Sequence, residues 1–421
     1  MSGIDQNRKT SGAHQIRRNT TAMIDAAEES FDAAHYQGIM ALYAEPGEGR
    51  TVQLAGREGS VVDFVRCSYL GLDNHPDIVA GALDSLRRAG TLHWSCARTR
   101  LNFDILGELE EDLSDLFCAR VLTFTTVLAA NMSAMSLLAS GHLTAGRKPL
   151  VVFDRLAHAT LAYHKATVAA ETEVVTIPHN DIEALEALCR SHESVVYICD
   201  GVYSMGGHTP LEELQRLQER YGLFLYIDDA HGISIIGDRG AGYARNLFSD
   251  LGDRTIVAAS LGKGFGASGG ILMLGTARQE LLFRRFAIAH AFSASINTAA
   301  IGAARASARL HRTGELPARQ AALRSNLALL DNLLPTKDID SQLPIRTLRL
   351  GDELHSVAAA RHLLELGFYA SAIFFPTVAR GEAGIRLCLT ASHTTDQIIA
   401  FCQALHQIRH EIETVKNSRG K

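Results

Sequence analysis

The sequence predicts an α/β protein built on a mostly parallel central sheet, with a smaller α+β domain at its C-terminal end. Three observations predict this. From Val61 to about Gly275, strand-like apolar runs alternate with helical stretches such as Asp181–His192 and Leu211–Tyr221, the βα alternation of a parallel sheet. Four of those apolar runs end, in succession, on polar residues of a chemically useful kind. After a long helical pattern from Thr298 to Leu334, the breaker Pro335-Thr-Lys-Asp changes the rhythm to short strands and helices.

Taken in order, the chain opens with Met1-Ser-Gly-Ile-Asp-Gln-Asn-Arg-Lys, which is polar and has no apolar core of the kind a signal peptide carries. A cytoplasmic protein is expected. A helical pattern with Ala26, Phe31, Ala34 and Ile39 among charges follows, read as an arm or helix that packs on a partner. The expected units are therefore an N-terminal segment 1–57, a large domain 58–300 and a small domain 301–421 that includes the linking helix. Val121 to Leu138 is the longest apolar-leaning run, but its threonines, serines and Asn131 make it too polar and too short for a membrane span. It reads as a loop feeding a buried helix. Beyond the breaker, Pro344–Leu350, Phe368–Ile373 and Ile385–Thr390 read as strands, and Ser356–Leu366 and Thr395–Ile412 as helices.

Composition narrows the function. A 421-residue chain that is 47% hydrophobic can bury a large core. A net charge of −5 with both signs mixed along the chain supplies no basic field for nucleic acid. The seven cysteines are odd in number, scattered and form no CxxC pair, which favours reduced thiols over a disulfide frame. His93 and Cys96 have ligand-like spacing but no further ligands nearby, so no metal site is expected.

The chemistry concentrates at the four strand ends. Leu150–Phe153 leads into Asp154-Arg-Leu-Ala-His158-Ala-Thr, and the next run leads into Asp200-Gly-Val-Tyr-Ser204-Met-Gly-Gly-His-Thr-Pro-Leu211. Phe224-Leu-Tyr-Ile-Asp228 then delivers a carboxylate with His231 three residues later, and Thr255–Ala259 runs into Ser260-Leu-Gly-Lys263-Gly-Phe-Gly266. Ligands of open α/β sheets bind outside the carboxyl ends of the strands. A lysine between a strand end and a small-residue loop is placed to form a Schiff base. Singly, a loop lysine is a solvated charge, a strand-terminal Asp caps a turn and a lone His is structural; the ordered set of four is not explained that way.

This order of motifs resembles the α-oxoamine synthases, pyridoxal-phosphate enzymes of fold type I, over most of the chain from Tyr69-Leu-Gly-Leu72 to Arg386. The resemblance implies the aspartate aminotransferase-like fold and the cofactor pyridoxal 5'-phosphate. It implies that Lys263 holds the cofactor and then deprotonates the substrate, that Asp228 pairs with the pyridine nitrogen, that His231 bonds the phenolic oxygen and that His158 stacks on the ring. The helix start Thr125-Thr-Val-Leu-Ala-Ala-Asn131 takes the place of the phosphate cradle, with Val127, Leu128 and Asn131, although the family usually has Gly where Val127 stands. Ser204 and Ser260 match hydroxyls aimed at the cofactor. Ser293 and Ser295 match a cluster that family dimers lend to the neighbour's phosphate, with its middle hydroxyl replaced by Ala294.

On the substrate side, Arg386 matches the arginine that grips the amino-acid carboxylate, a task suited to a permanently charged fork. The family's glycine-rich loop reads here Leu92-His-Trp-Ser-Cys-Ala-Arg98, with the chain's only tryptophan, Trp94, inside it, and its Asn-Asp reads Cys67-Ser68. Ser68, Trp94 and Arg98 are therefore expected to contribute to substrate binding. Phe374 replaces an arginine found in the biotin-pathway member, which argues against an acyl chain with a free carboxylate. The resemblance implies a homodimer, with active sites at the subunit interface, that condenses an amino acid with an acyl thioester of CoA or a carrier protein. Aminotransfer or C–C cleavage on the same fold is the alternative, and retention of Lys263 argues against an inactive partner subunit.

Overall fold

The computed structural model describes residues 20–339 and 341–419, with side chains of the last helix as far as Glu411; the first nineteen residues of the expected N-terminal segment lie outside the described residues. The helix Thr20–Tyr36 leads into three short strands, β1 (Ala44–Pro46), β2 (Thr51–Leu54) and β3 (Ser60–Asp63), paired as an antiparallel meander. This segment packs in cis. Ala34, Ile39, Val52 and Val61 share one apolar cluster with Ile345, Leu363 and Phe401 of the C-terminal region, and Phe31 meets Phe374 edge to face at 5.2 Å. The boundary expected after residue 57 falls inside the β2–β3 hairpin.

Seven strands form the central sheet: β4 (Arg120–Phe124), β5 (Leu150–Asp154), β6 (Val174–Ile177), β7 (Val195–Asp200), β8 (Phe224–Asp228), β9 (Thr255–Ser260) and β10 (Gly270–Leu274). Their spatial order is β4-β10-β9-β8-β7-β5-β6, and only β10 runs against the rest. Every residue of β5, β7 and β8 is buried, as expected of strands covered by helices on both faces. The four strand ends singled out above, on β5, β7, β8 and β9, are thus consecutive neighbours in the sheet. Asp200 stands in register with Asp228, and Asp228 with Ala258.

The run beginning at Val121 corrects the expectation of a loop. Its first residues form β4, because β10 pairs along the whole of it, from Gly270 opposite Phe124 to Leu274 opposite Arg120. The turn between β4 and the helix Val127–Ala139 is close enough to β10 that a Cβ on Gly270 would sit 2.3 Å from the Val127 amide nitrogen. Only glycine permits that approach.

The expected single helix from Thr298 to Leu334 is two, Thr298–Leu310 and Glu315–Leu333, parted at Thr313-Gly314. Further on, β11 (Ile345–Gly351), β13 (Ser371–Ile373) and β14 (Ala383–Cys388) make a three-stranded antiparallel sheet. The expected strand Phe368–Ile373 divides at Ala370: its first half, β12 (Phe368–Tyr369), pairs in parallel with β3 in the other small sheet. Burial of Phe368 among Phe64 and Phe401 draws that half away from β14. Among the described residues, no helix is long and apolar enough to cross a membrane.

Candidate active site

The loop after β9 is wound tightly on itself. The Leu261 amide donates to Gly269 O, Ala267 to Leu261 O and Gly266 to Lys263 O. Gly266 lies at φ +76°, and a Cβ there would come within 2.3 Å of Leu72. This coil aims Lys263 inward, where its Nζ stands 2.7 Å from His231 Nε2. Burial lowers the lysine's pKa and works against its charge. His231 is pushed well below the usual histidine range, by burial and then by the charge of Lys263, so it is a neutral ring. Its Nδ1 lies 2.6 Å from the hydroxyl of Tyr69.

Asp228, at the end of β8, is 4% exposed and fixed from two sides. Its Oδ2 accepts from Asn131 Nδ2 at 2.7 Å and its Oδ1 from the Ala230 amide at 3.1 Å. Asn131, expected in the anion cradle, lies instead beneath this carboxylate: Tyr226 donates to its Oδ1 at 2.7 Å, and its Nδ2 also reaches Thr160 Oγ1. Its position on the second turn of the helix, one turn past the cradle, turns it toward the sheet. Thr160 in turn holds His158 Nδ1 at 2.9 Å, and the His158 amide donates to Asp200. Burial and the neighbouring Asp228 raise the pKa of Asp200 far above the carboxylate range, leaving one of the two adjacent acids neutral.

At the start of the helix Val127–Ala139, Thr126 caps the Ala129 amide, and the first-turn N–H groups of Val127 and Leu128 have no acceptor within the helix. Ser260 Oγ accepts from Gly262, and Ser204 contributes its carbonyl to Arg386 Nε at 2.7 Å. The hydroxyls of Ser293 and Ser295 turn back onto the carbonyls of Ala294 and Ile296, so within one chain neither is brought to the lysine or the cradle.

The family model for aminotransferase class I and II matches residues 69–405. The chain is 31% identical over 376 residues to an 8-amino-7-oxononanoate synthase of Geobacter sulfurreducens, covering 87% of this chain and 93% of that protein. It is 31% identical to one of Enterobacter sp., covering 82% and 88% respectively. Among solved structures, a serine palmitoyltransferase of S. paucimobilis superposes with a TM-score of 0.82 at 21% identity, over 94% of this chain and all of that one. An 8-amino-7-oxononanoate synthase from Francisella tularensis does so with a TM-score of 0.70 at 20% identity, over 85% and 99%.

The chain is an α-oxoamine synthase of the aminotransferase class I and II family.

The donor set suits the cofactor of the α-oxoamine synthases. A partly buried amine, a fixed carboxylate opposite it, a flat imidazole at His158 and open amides at a helix start answer a pyridine ring bearing a phosphate. Arg386 enters from β14. Its Nε is held by Ser204, and its Nη2 lies 3.9 Å from Cys67 Sγ, which is itself 3.9 Å from Cys388 Sγ. Ser68 is buried in its own turn, accepting from the Asp73 amide.

Two expected substrate residues lie elsewhere in this α-oxoamine synthase. Arg98 is a correction: it is buried, giving Nη2 to Glu110 at 2.9 Å and Nη1 to the Thr123 carbonyl at 2.7 Å, while Arg284 holds the other oxygen of Glu110. Both its Nη atoms are thus engaged in tying the rewritten loop to β4. Trp94, 55% exposed, lies against Phe103 with ring centroids 4.2 Å apart. Both line a cavity of about 570 Å³ between the helices Pro76–Ala89 and Thr298–Leu310, whose walls include Arg88 and Arg309 but neither Lys263 nor Arg386. Sequence reasoning missed Tyr69 and Thr160 as site residues. Thr160 stood in a motif already noticed, whereas nothing local connects Tyr69 with a histidine 162 positions away. All seven cysteines are free thiols, and among the described residues no group of three or more acids, histidines or cysteines is placed to hold a metal.

Proposed function

We propose that this protein condenses an amino acid with an acyl thioester, releasing CO2 and the free thiol and giving an α-aminoketone. The observation that carries the reading is the convergence of Lys263, His231 and the Asn131-held Asp228 at neighbouring strand ends, with Arg386 entering from the small domain. When bound, pyridoxal phosphate supplies an electron sink for the carbanion that forms at the amino acid's α-carbon. Lys263, His231, His158 and Asp228 would hold its ring, with the Val127 and Leu128 amides toward its phosphate.

The chain's own residues then have distinct tasks. Asp228 keeps a negative charge where a ring nitrogen must stay protonated, and Asn131 stops that carboxylate from swinging away. Lys263 removes the α-proton, a task served by the burial that favours its neutral form. Arg386 orients the substrate carboxylate. Phe374, buried against Phe31, offers no cation to an acyl carboxylate, which supports an acyl group lacking one.

The reading includes a homodimer that brings Ser293 and Ser295 to the neighbouring site. It is supported by Phe292, 77% exposed beside them, with Phe286 and Ile288 also exposed nearby. Seven free thiols support a cytoplasmic setting.

The test is a screen of amino acids against acyl-CoAs and acyl-carrier proteins, reading thiol release and product mass. Amino-acid-dependent thiol release, with a product mass equal to both substrates less the thiol and CO2, is expected. Transfer of the amino group to an oxo acid without thiol release would replace this reading with aminotransfer.

A further inference from the structure

We infer that Tyr69 is a positioning residue that decides which edge of His231 faces the reacting centre and which of its nitrogens carries the proton. The inference rests on the cofactor reading above and goes beyond it. The geometry is a relay through the two ring nitrogens: Tyr69 OH to His231 Nδ1 at 2.6 Å, then His231 Nε2 to Lys263 Nζ at 2.7 Å. The two rings are tilted by 46° with centroids 6.1 Å apart, so the hydroxyl meets the imidazole edge and there is no stacking to hold the ring.

Tyr69 is built to be immobile. It is fully buried, its amide donates to Cys67 O, and its carbonyl accepts from the Ala391 amide just past β14. A neutral imidazole has one N–H, and the partner of Nδ1 therefore sets what Nε2 can do. A phenol both donates and accepts. When Tyr69 accepts from Nδ1, Nε2 is a lone pair facing the Lys263 ammonium. When Tyr69 donates to Nδ1, Nε2 carries the proton and can donate to an oxygen anion lying beside the lysine. The two states differ in which ring nitrogen holds the proton as well as in the direction of the phenol O–H, and Tyr69 can pair with Nδ1 in either without the ring moving.

The surroundings keep this pair uncharged. Around Tyr69 stand Cys67, Cys388 and Arg386, and burial with the two thiols keeps its phenol protonated far above the usual range. Lys263, Arg386 and His158 face His231, and their positive charges add to burial in keeping the ring neutral. Asp228 and Asp200 act on Lys263 from the other side. With no charge available, orientation by a hydrogen bond is the remaining means of control, and an imidazole nitrogen left unpaired here is costly.

The test uses the cofactor-loaded protein and the pH at which its visible absorbance changes form. Tyr69→Phe should move that midpoint upward by about half a unit or more, because Nε2 becomes a poorer donor to the ring oxygen beside it. His231→Asn should move it in the same direction, and adding Tyr69→Phe to His231→Asn should produce no further shift. Additive shifts, or an unchanged midpoint in Tyr69→Phe with wild-type melting, would overturn the proposal. A wild-type protein with no visible absorbance would instead fail the cofactor reading itself. Should Tyr69→Phe not fold, the ¹⁵N signals of His231, assigned by their loss in His231→Asn, decide the matter. A neutral ring with one nitrogen protonated and the other bare is expected, and two nitrogens with the averaged shifts of a freely exchanging ring would overturn the proposal.

Discussion

Asn131 and Asp228 are 97 residues apart in the chain and joined by one hydrogen bond of 2.7 Å, from Nδ2 to Oδ2. The bond links the helix that begins the anion cradle to the strand that carries the ring-pairing carboxylate. Asn131→Ala would leave a buried carboxylate with one donor fewer and free to turn. Cofactor affinity, measured by absorbance titration, should fall about tenfold, the equivalent of one charge-assisted hydrogen bond. An affinity equal to wild type would remove Asn131 from the site.

Asp228→Asn keeps the shape and loses the charge. The variant should still take up cofactor, while turnover falls on the order of a hundredfold or more because a neutral partner cannot keep the ring nitrogen protonated. Steady-state rates with saturating cofactor check this, and turnover near that of wild type would exclude the assignment.

Arg98 separates structure from catalysis. Glu110 is buried between Arg98 and Arg284, so Arg98→Ala leaves its charge half-compensated and should destabilise the fold by about 3 kcal/mol. Chemical denaturation measures the loss. The absorbance of bound cofactor should be unchanged, since no atom of Arg98 faces Lys263.

Burial raises the pKa of Asp229 to about 8, and one of its oxygens has no partner while the other accepts from the Ala244 amide. The folded state therefore holds a proton that the unfolded chain releases near its ordinary value, about 4. Stability from this group is complete below pH about 4 and is lost as pH rises toward about 8, at up to about 1.4 kcal/mol per pH unit. Asp229→Asn, which mimics the protonated acid, should flatten that part of the stability curve. An unchanged slope between pH 5 and 8, taken as a range set by those values, would contradict it.

The strand ends were legible because each is written locally, as an apolar run stopping at Asp154, Asp200, Asp228 or Ser260, and the sheet then places the four side by side. What failed to show depends on partners far along the chain. β4 is a strand because β10 pairs with it 150 residues later, Phe368–Ile373 divides because two sheets compete for its halves, and Arg98 looked like a ligand for substrate until Glu110 was seen to hold it. Asn131 was placed in the right helix and given the wrong neighbour, since one helical turn separates an amide aimed at an anion from a side chain aimed at the sheet.

The central claim is that Lys263 is the residue to which the cofactor is joined. Borohydride reduction of the cofactor-loaded protein, followed by proteolysis and mass spectrometry, tests it most directly. The account predicts the pyridoxyl mass on the peptide containing Lys263, and a Lys263→Ala protein that takes up no covalent label and lacks the absorbance of a lysine-bound aldimine. Label on another lysine, or borohydride-reducible covalent label persisting in Lys263→Ala, would contradict it.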